Sequence, residues 1–570
     1  MSESMRPAGG ESWDQLYRQA WQEGVTRLQA LPGVVLGFHS TIDALKQVHD
    51  DKLYHWWADD PELARQVASL FQEVNWPAGG GSPVVHRSAP AVSLLRGITT
   101  PAELLAALLD CMRRGKARQL MIVEESTFRW ALEHIGYDRL RMGGTSGNMA
   151  NALASLPLRN VTVYAHPLSR QLAELFVDQP HLTMIARRSS PESNGGRTEE
   201  RTGVAADATG YELIPPRQAA HRHPDQGMRA LHWVLEFGAG ESFHLPAVAG
   251  GRSGEGNETV AVVEAVTPRA NRFIAAWNPE NNRLRIDPDF ESGLLALGDR
   301  FSHFIVSGFH LLSEWYSDGS SYRDCLRPVA RFLRTARQRH PHLRMHYEFA
   351  SIASPAIRRG VVEEILPLVD SLGLNEVELL ALLRDIGAED LAHDLEASDA
   401  QAARAVVGGQ TARIPFELLL AALDRLGRAA GVRRVHLHNL GYYLCLADPQ
   451  LASAAQTRQG LLFAALLGAV RAEQGERFSL AQLEGGLAIP LAPLGWLNDI
   501  AGYGHAGASS DVGRQTAAVS LAAGVEWLGT GLFRYEGWEG AVVPTRVVAQ
   551  PRFTVGLGDV ISASAFLVGT

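Results

Sequence analysis

Five short segments of this chain carry residues able to do acid–base, metal or anion chemistry where a turn meets a helix or a strand ends. Near the C-terminus, Gly556-Leu557-Gly558-Asp559 opens straight into the apolar run 560–568. The N–H groups of a glycine turn and the positive end of a helix dipole together form an anion site. Asp559 beside them can take a proton from an attacking hydroxyl, which suits phosphoryl transfer, or can serve as an ordinary helix cap. Upstream, Asp43 closes the segment Gly37-Phe38-His39-Ser40-Thr41-Ile42-Asp43, directly after an apolar run. A carboxylate there can accept two sugar hydroxyls, or simply form an Asx turn. In Gly143-Gly144-Thr145-Ser146-Gly147-Asn148 the glycines permit close backbone approach to a ligand, or a tight strand-to-helix turn.

The remaining two segments offer carboxylates. In Met345-His346-Tyr347-Glu348-Phe349 a period of two places His346 and Glu348 on one face of a strand. Glu348 could hold Mg²⁺ through water, since that ion keeps part of its hydration shell, or it could form an interior ion pair. Asn375-Glu376-Val377-Glu378 precedes an apolar helical run and has capping-box spacing. The same spacing sets Asn375 and Glu378 together at a helix entrance, where a hydrated metal could bridge to phosphate.

The elements that must position these residues read as α/β. Short apolar runs at 34–38, 161–164, 304–306, 344–349 and 435–438 alternate with helical patterns such as 168–176 and 329–338. That alternation predicts a largely parallel sheet, with ligands collected at the C-terminal ends of its strands. Residues 45–141 mix helices and loops, including a glycine run at 77–82. Residues 187–227 are polar, with breakers at Asn194-Gly195-Gly196 and Pro215-Pro216, and 249–257 is nearly all Gly, Ser and charge. Strand-like pieces at 231–237 and 259–266 flank these loops, so both stretches are expected to build a smaller inserted lid domain. The expected division is an N-terminal extension over 1–24, and a large Rossmann-like nucleotide-binding core from 25–45, 142–184 and 279–570. The lid is expected from 46–141 and 185–278. Residues 496–538 give no clear assignment.

Composition narrows the function classes. With 46% hydrophobic and 20% charged residues, 570 residues can bury a sizeable core as a soluble protein. The net charge of −9, without a long basic run, argues against a nucleic-acid or membrane surface. Cys111, Cys325 and Cys445 lie far apart and form no metal or disulfide pattern, which suits a reducing interior. No run approaches ~18 apolar residues and the first thirty lack a signal core, so a cytoplasmic location is expected.

Taken together and in this order, the segments resemble the ADP-dependent glucokinase and phosphofructokinase family, which has a ribokinase-like fold. The resemblance runs over about 34–566 and rests on Gly-Gly-x-x-Gly at 143–147, His-x-Glu at 346–348, Asn-x-x-Glu at 375–378 and Gly-x-Gly-Asp at 556–559. Supporting runs are 168–176, Asn271-Arg272-Phe273-Ile274, Val306-Ser307-Gly308 and Gly441-Tyr442-Tyr443.

The resemblance implies that Asp559 is the catalytic base and that the Gly556 and Gly558 amides stabilise the transferring phosphoryl group. It implies that Glu348 and Glu378 organise Mg²⁺, with Asn375 and His346 shaping the nucleotide side of that shell. Arg272 would clamp the nucleotide's phosphates, and Asp43, Gly143 and Gly144 would hold a hexose or hexose phosphate in glycolytic chemistry. The β-phosphoryl of ADP would move to the sugar, leaving AMP. The departures fall on the acceptor side. Thr41 stands where the family usually has Asn, Thr145 where many members have Gln, and Asn148 where an apolar residue is typical. Arg170 and Arg269 could serve a phosphorylated sugar or be surface charges. An ATP-using ribokinase-like kinase of carbohydrates or nucleosides, and a non-catalytic sugar or nucleotide sensor, remain alternative readings.

Overall fold

The computed structural model describes residues 12–72, 97–188, 209–222, 224, 227–248, 260–407, 416–492, 524–553 and 555–570. The glycine run at 77–82, the Asn194-Gly195-Gly196 breaker, the 249–257 loop and part of 496–538 lie outside the described residues.

Val34–Gly37 is four apolar or small residues with no exposed side, the pattern of a strand covered on both faces. It lies within a twelve-stranded sheet. Seven neighbouring strands of that sheet run parallel: Arg434–His438, Ser371–Leu374, Arg344–Glu348, His303–Val306, Val34–Gly37, Val161–Val163 and Leu182–Arg187. Antiparallel strands extend both edges, Tyr442–Ala447 and three later strands on one side and Tyr211–Ile214 on the other. The strands expected from the apolar runs are all present, within a residue or two of their expected ends.

The C-terminal helix Leu557–Gly569 is buried from Val560 onward. It packs against Ala454–Gln474 and beneath the strands Arg344–Glu348, Ser371–Leu374 and Arg434–His438. That seat delivers its N-terminal turn to the C-terminal ends of the parallel strands, where Glu348 ends its strand and Asn375 caps the next helix.

A second, five-stranded sheet runs in the order Arg118–Met121, Asn271–Trp277, Leu231–Phe237, Thr41–Gln47, Arg139–Gly143. Alternation divides its faces. Ile42, Ala44, Met142, Trp233, Leu235, Phe273 and Ala275 are buried on one. The other carries Thr41, Asp43, Arg141, His232, Glu236 and Arg272, as the cross-strand registers require. A two-stranded antiparallel ribbon, Ser242–Val248 with Val260–Val266, adjoins this part.

Strand membership departs from the expected boundaries at two places. Thr41–Gln47 belongs to the smaller sheet, so the first crossing falls at 38–40 rather than at 45. Tyr211–Ile214 pairs with Leu182–Arg187, so part of 185–278 extends the larger sheet. Part of the expected N-terminal extension packs on the larger unit. Ser12 caps the helix Trp13–Ala30, whose buried Tyr17 donates to the Pro544 carbonyl at 2.5 Å. Among the described residues no helix is long and apolar enough to cross a membrane.

Candidate active site

The glycine turn is held open by its own geometry. Gly556 caps the helix at φ +65°, a left-handed conformation that a β-carbon disfavours. A β-carbon there would also stand 2.8 Å from Asn148 Cγ, and one on Gly558 would stand 2.8 Å from His438 Nε2. The first N–H groups of the helix have no partner within it and point out of its mouth. Asp559 sits in that first turn, half-buried. Burial pushes its carboxyl up to about 6, while the Arg471 guanidinium opposes the rise.

Arg471 is fully buried at the end of the Ala-rich helix. Its Nη2 donates to Asn148 Oδ1 at 3.2 Å, and its guanidinium lies 4.9 Å from the centre of the Phe553 ring. Asn148 in turn donates to the Gly144 carbonyl at 2.9 Å. The unusual Asn at 148 thus links both glycine turns to the cation beside Asp559.

The two glutamates face the same mouth. Glu348 is 3% exposed, and its Oε2 has no hydrogen-bond partner. Burial drives its carboxyl well above the usual range, and the charges of Asp559 and Glu378 push it further. Glu378 is raised to about 7, mainly by burial and in part by Asp559. Its Oε2 accepts from the Asn375 backbone N–H at 3.0 Å and its Oε1 from Ser351 Oγ at 3.1 Å. The capping box is therefore real, and its glutamate nonetheless belongs to the cluster. Asp559 raises both glutamates and Glu378 raises Glu348 as well, and carboxylate oxygens are the kind of donor a hard divalent cation takes.

His346, expected on the nucleotide side of the site, is held within the core. It is wholly buried, with Nδ1 2.9 Å from Ser371 Oγ and Nε2 3.0 Å from Ser562 Oγ. Its Nε2 also lies 3.4 Å from Glu348 Oε2. Both ring nitrogens are taken by the core, so the side chain props Glu348 from beneath.

On the smaller sheet, Asp43 is 6% exposed and raised to about 6, chiefly by burial. Thr41 Oγ1 donates to its Oδ1 at 3.4 Å. Gly143, in register with Thr41, lies against the Asp43 carboxylate, and any β-carbon there would collide with it. Gly144 follows at φ +76° against the His39 carbonyl. Arg141, paired in register with Asp43, meets Glu476 at 3.4 Å and lies 4.8 Å from the Phe553 ring centre. Arg272 is on the same sheet face but level with Glu236, four residues along from the partner of Asp43. Arg170 and Arg269 are both exposed.

Sequence reasoning passed over Arg471, His438, Ser562 and Phe553. His438 Nε2 lies 3.9 Å from Glu348 Oε1 as well as against Gly558. A lone Arg inside the apolar run 461–472 was the available signal for Arg471. His438 was readable only as the end of a strand.

The arrangement can bind an anion at the helix mouth, hold a divalent cation beside it and accept a proton at Asp559. The conserved region of ADP-specific phosphofructokinases and glucokinases matches residues 33–568. An ADP-specific phosphofructokinase of Methanosarcina acetivorans is 28% identical over 559 residues, covering 98% of this chain and 97% of the relative. An ADP-dependent glucose/glucosamine kinase of Pyrococcus abyssi is 28% identical over 557 residues, covering 98% of each chain. Among solved structures, the last common ancestor of ADP-dependent phosphofructokinases from Methanosarcinales superposes with a TM-score of 0.71 at 26% identity, covering 98% of both chains. An ADP-dependent kinase in complex with fructose-6-phosphate and ADPβS superposes at 0.68 with 25% identity, covering 98% of this chain and 97% of that one.

Proposed function

The chain belongs to the ADP-specific phosphofructokinase and glucokinase family, with its ribokinase-like α/β fold, and from that premise we propose how its residues divide the work of an ADP-dependent sugar kinase. The reading moves the β-phosphoryl group of Mg-ADP to a hydroxyl of a hexose or hexose phosphate and releases AMP. The observation that carries it is the convergence of Asp559, Glu348 and Glu378 at one helix entrance, where the Asp559 charge raises both glutamates.

Asp559 takes the proton from the acceptor hydroxyl as that oxygen attacks the β-phosphorus. The bond to the bridging oxygen breaks, and AMP leaves with the electron pair. The amides at the mouth, from Gly556 to Asp559, face the oxygens over which charge spreads in the transition state. Glu348 and Glu378 would hold Mg²⁺, directly or through water, and that ion supplies charge neutralisation to the diphosphate. His346 and His438 keep Glu348 in place, while Asn375 keeps the Glu378 side chain turned back to the helix start. Asp43 and the Gly143-Gly144 backbone receive the sugar, and Arg272 approaches the nucleotide's phosphates from the smaller sheet. That sheet serves as the lid, which excludes water and so limits hydrolysis of the nucleotide.

Replacing the base tests the assignment. Asp559→Asn is isosteric and should retain the wild-type circular dichroism spectrum and nucleotide affinity while turnover falls by roughly 10²–10⁴-fold. A variant with near wild-type turnover would remove Asp559 from the base role.

A further inference from the structure

At the end of the larger sheet opposite the helix mouth, two histidines and an aspartate converge. Asp299 lies in the short turn Gly298–Arg300 that leads towards the strand His303–Val306. His340 ends the helix Tyr322–Arg339, and His342 stands two residues on, ahead of the strand Arg344–Glu348. The two strands are parallel neighbours, so all three residues meet at their N-terminal ends. One ligand atom from each lies within 4.8 Å of the other two. The His340 and His342 ring centres are 5.9 Å apart.

His340 is built into the fold. It is 5% exposed, its backbone N–H donates to the Ala336 carbonyl, and its own carbonyl accepts from the Leu343 N–H. Its ring packs on Gly298, where a β-carbon would collide with it. Nε2 lies 3.0 Å from the Leu295 carbonyl, which can only accept, so that nitrogen carries a proton. Nδ1 lies 3.1 Å from Asp299 Oδ1. A neutral ring therefore turns a lone pair on a carboxylate oxygen, and something positive must stand between them. A second proton on the ring would serve, as in an ordinary ion pair, but it gives His342 no part. A metal ion uses all three groups. A histidine that binds a metal through one nitrogen commonly fixes its ring by donating from the other to a backbone carbonyl, as His340 does.

Ligand type and spacing name the ion. Two imidazoles with one carboxylate suit Zn²⁺ and its neighbours among the transition metals, whereas Mg²⁺ takes oxygen. Ligand atoms about 2.0–2.1 Å from a tetrahedral centre stand ~3.3 Å from one another. His340 Nδ1 and Asp299 Oδ1 already have nearly that separation. Closing the widest gap asks a shift of at most about 1.5 Å from Asp299 and His342, both of which are exposed. The same exposure leaves the fourth position to water. We propose that Asp299, His340 and His342 form a binding site for Zn²⁺ or a similar transition-metal ion, which ties the end of the helix Tyr322–Arg339 to the turn before the neighbouring strand. The site takes no part in phosphoryl transfer.

Metal titration of the full chain tests it. Chelator-treated protein, with Mg²⁺ in excess to occupy oxygen-donor sites, is titrated calorimetrically with Zn²⁺, and with Co²⁺ while visible absorption is followed. One Zn²⁺ per chain should bind and raise Tm, and Co²⁺ should give the absorption of a four-coordinate, imidazole-ligated ion. His342→Ala and Asp299→Ala alter exposed side chains, so neither removes core packing. Each should bind Zn²⁺ at least tenfold more weakly and lose the Co²⁺ absorption and the rise in Tm. Their kcat in zinc-free Mg-ADP turnover should match the wild type. Zn²⁺ binding of equal strength in both variants would place the ion on other residues, and no binding by the wild type would leave His340 and Asp299 as an ion pair. Either result overturns the proposal.

Discussion

At Asp559 two influences oppose each other: removal from water raises its carboxyl to about 6, and Arg471 draws it down. In the base role proposed for it, Asp559 must be ionised to accept a proton, so turnover should be lost as pH falls through that value. Replacing Arg471 by Gln removes the lowering influence. The acid limb of the kcat profile should then move to higher pH, by about one unit. A limb that stays in place would mean that Arg471 acts on something other than Asp559. The aspartate was legible from its own neighbours, because a glycine turn and an apolar helix are local features. Arg471 was not, since its partner Asn148 lies 323 residues away and only the folded chain brings them together. His346 shows the same limit from the other side. Its strand face was readable from period two, but the serines that occupy both its nitrogens come from another strand and from the final helix.

At the scale of elements, the helix Leu557–Gly569 acts through its first turn. Gly556 is left-handed and packed against Asn148, so Gly556→Ala must strain the backbone or displace that side chain. The expected cost to stability is about 1 kcal/mol. Displacing the mouth amides should also lower kcat at least tenfold, read against the thermal shift of the same variant. Full activity in a folded Gly556→Ala would show that these amides do not face the reacting phosphoryl group. The Asn375 to Glu378 segment shows why motif reading alone could not decide between cap and site. The capping hydrogen bonds form as the spacing predicts, and the same bonds fix a carboxyl at the cleft. Strand positions in both sheets followed from apolar runs and alternation. The crossing at 38–40 did not, because whether a strand continues or changes sheets depends on its distant partners.

Over the whole molecule, burial of titratable groups sets a pH signature. Among the described residues, seven buried imidazoles, at His39, His232, His303, His310, His346, His436 and His438, are held below their ordinary value. Each binds its proton more readily in the unfolded chain, so stability present above pH ~6.5 is lost as pH falls towards their folded values. Five raised carboxyls, Asp43, Glu348, Glu378, Glu476 and Asp559, act oppositely and lose stability as pH rises through about 4 to 7. The imidazoles outnumber them, so Tm in metal-free buffer should drop between pH 7 and pH 5. Added Mg²⁺ should raise Tm more at pH 7, where the carboxyls that would hold it are ionised. A Tm that climbs on acidification would contradict this balance. The architecture itself was legible because a parallel sheet, an amphipathic second sheet and their connecting helices each leave a periodic trace. The acceptor pocket left none, being assembled from single residues at the ends of several strands. The decisive measurement is turnover with ADP freed of ATP, and separately with ATP freed of ADP, on a panel of sugars with Mg²⁺. The account predicts equal amounts of AMP and sugar phosphate from ADP and little product from ATP. Product from ATP alone, or no AMP with any sugar or sugar phosphate, would contradict it.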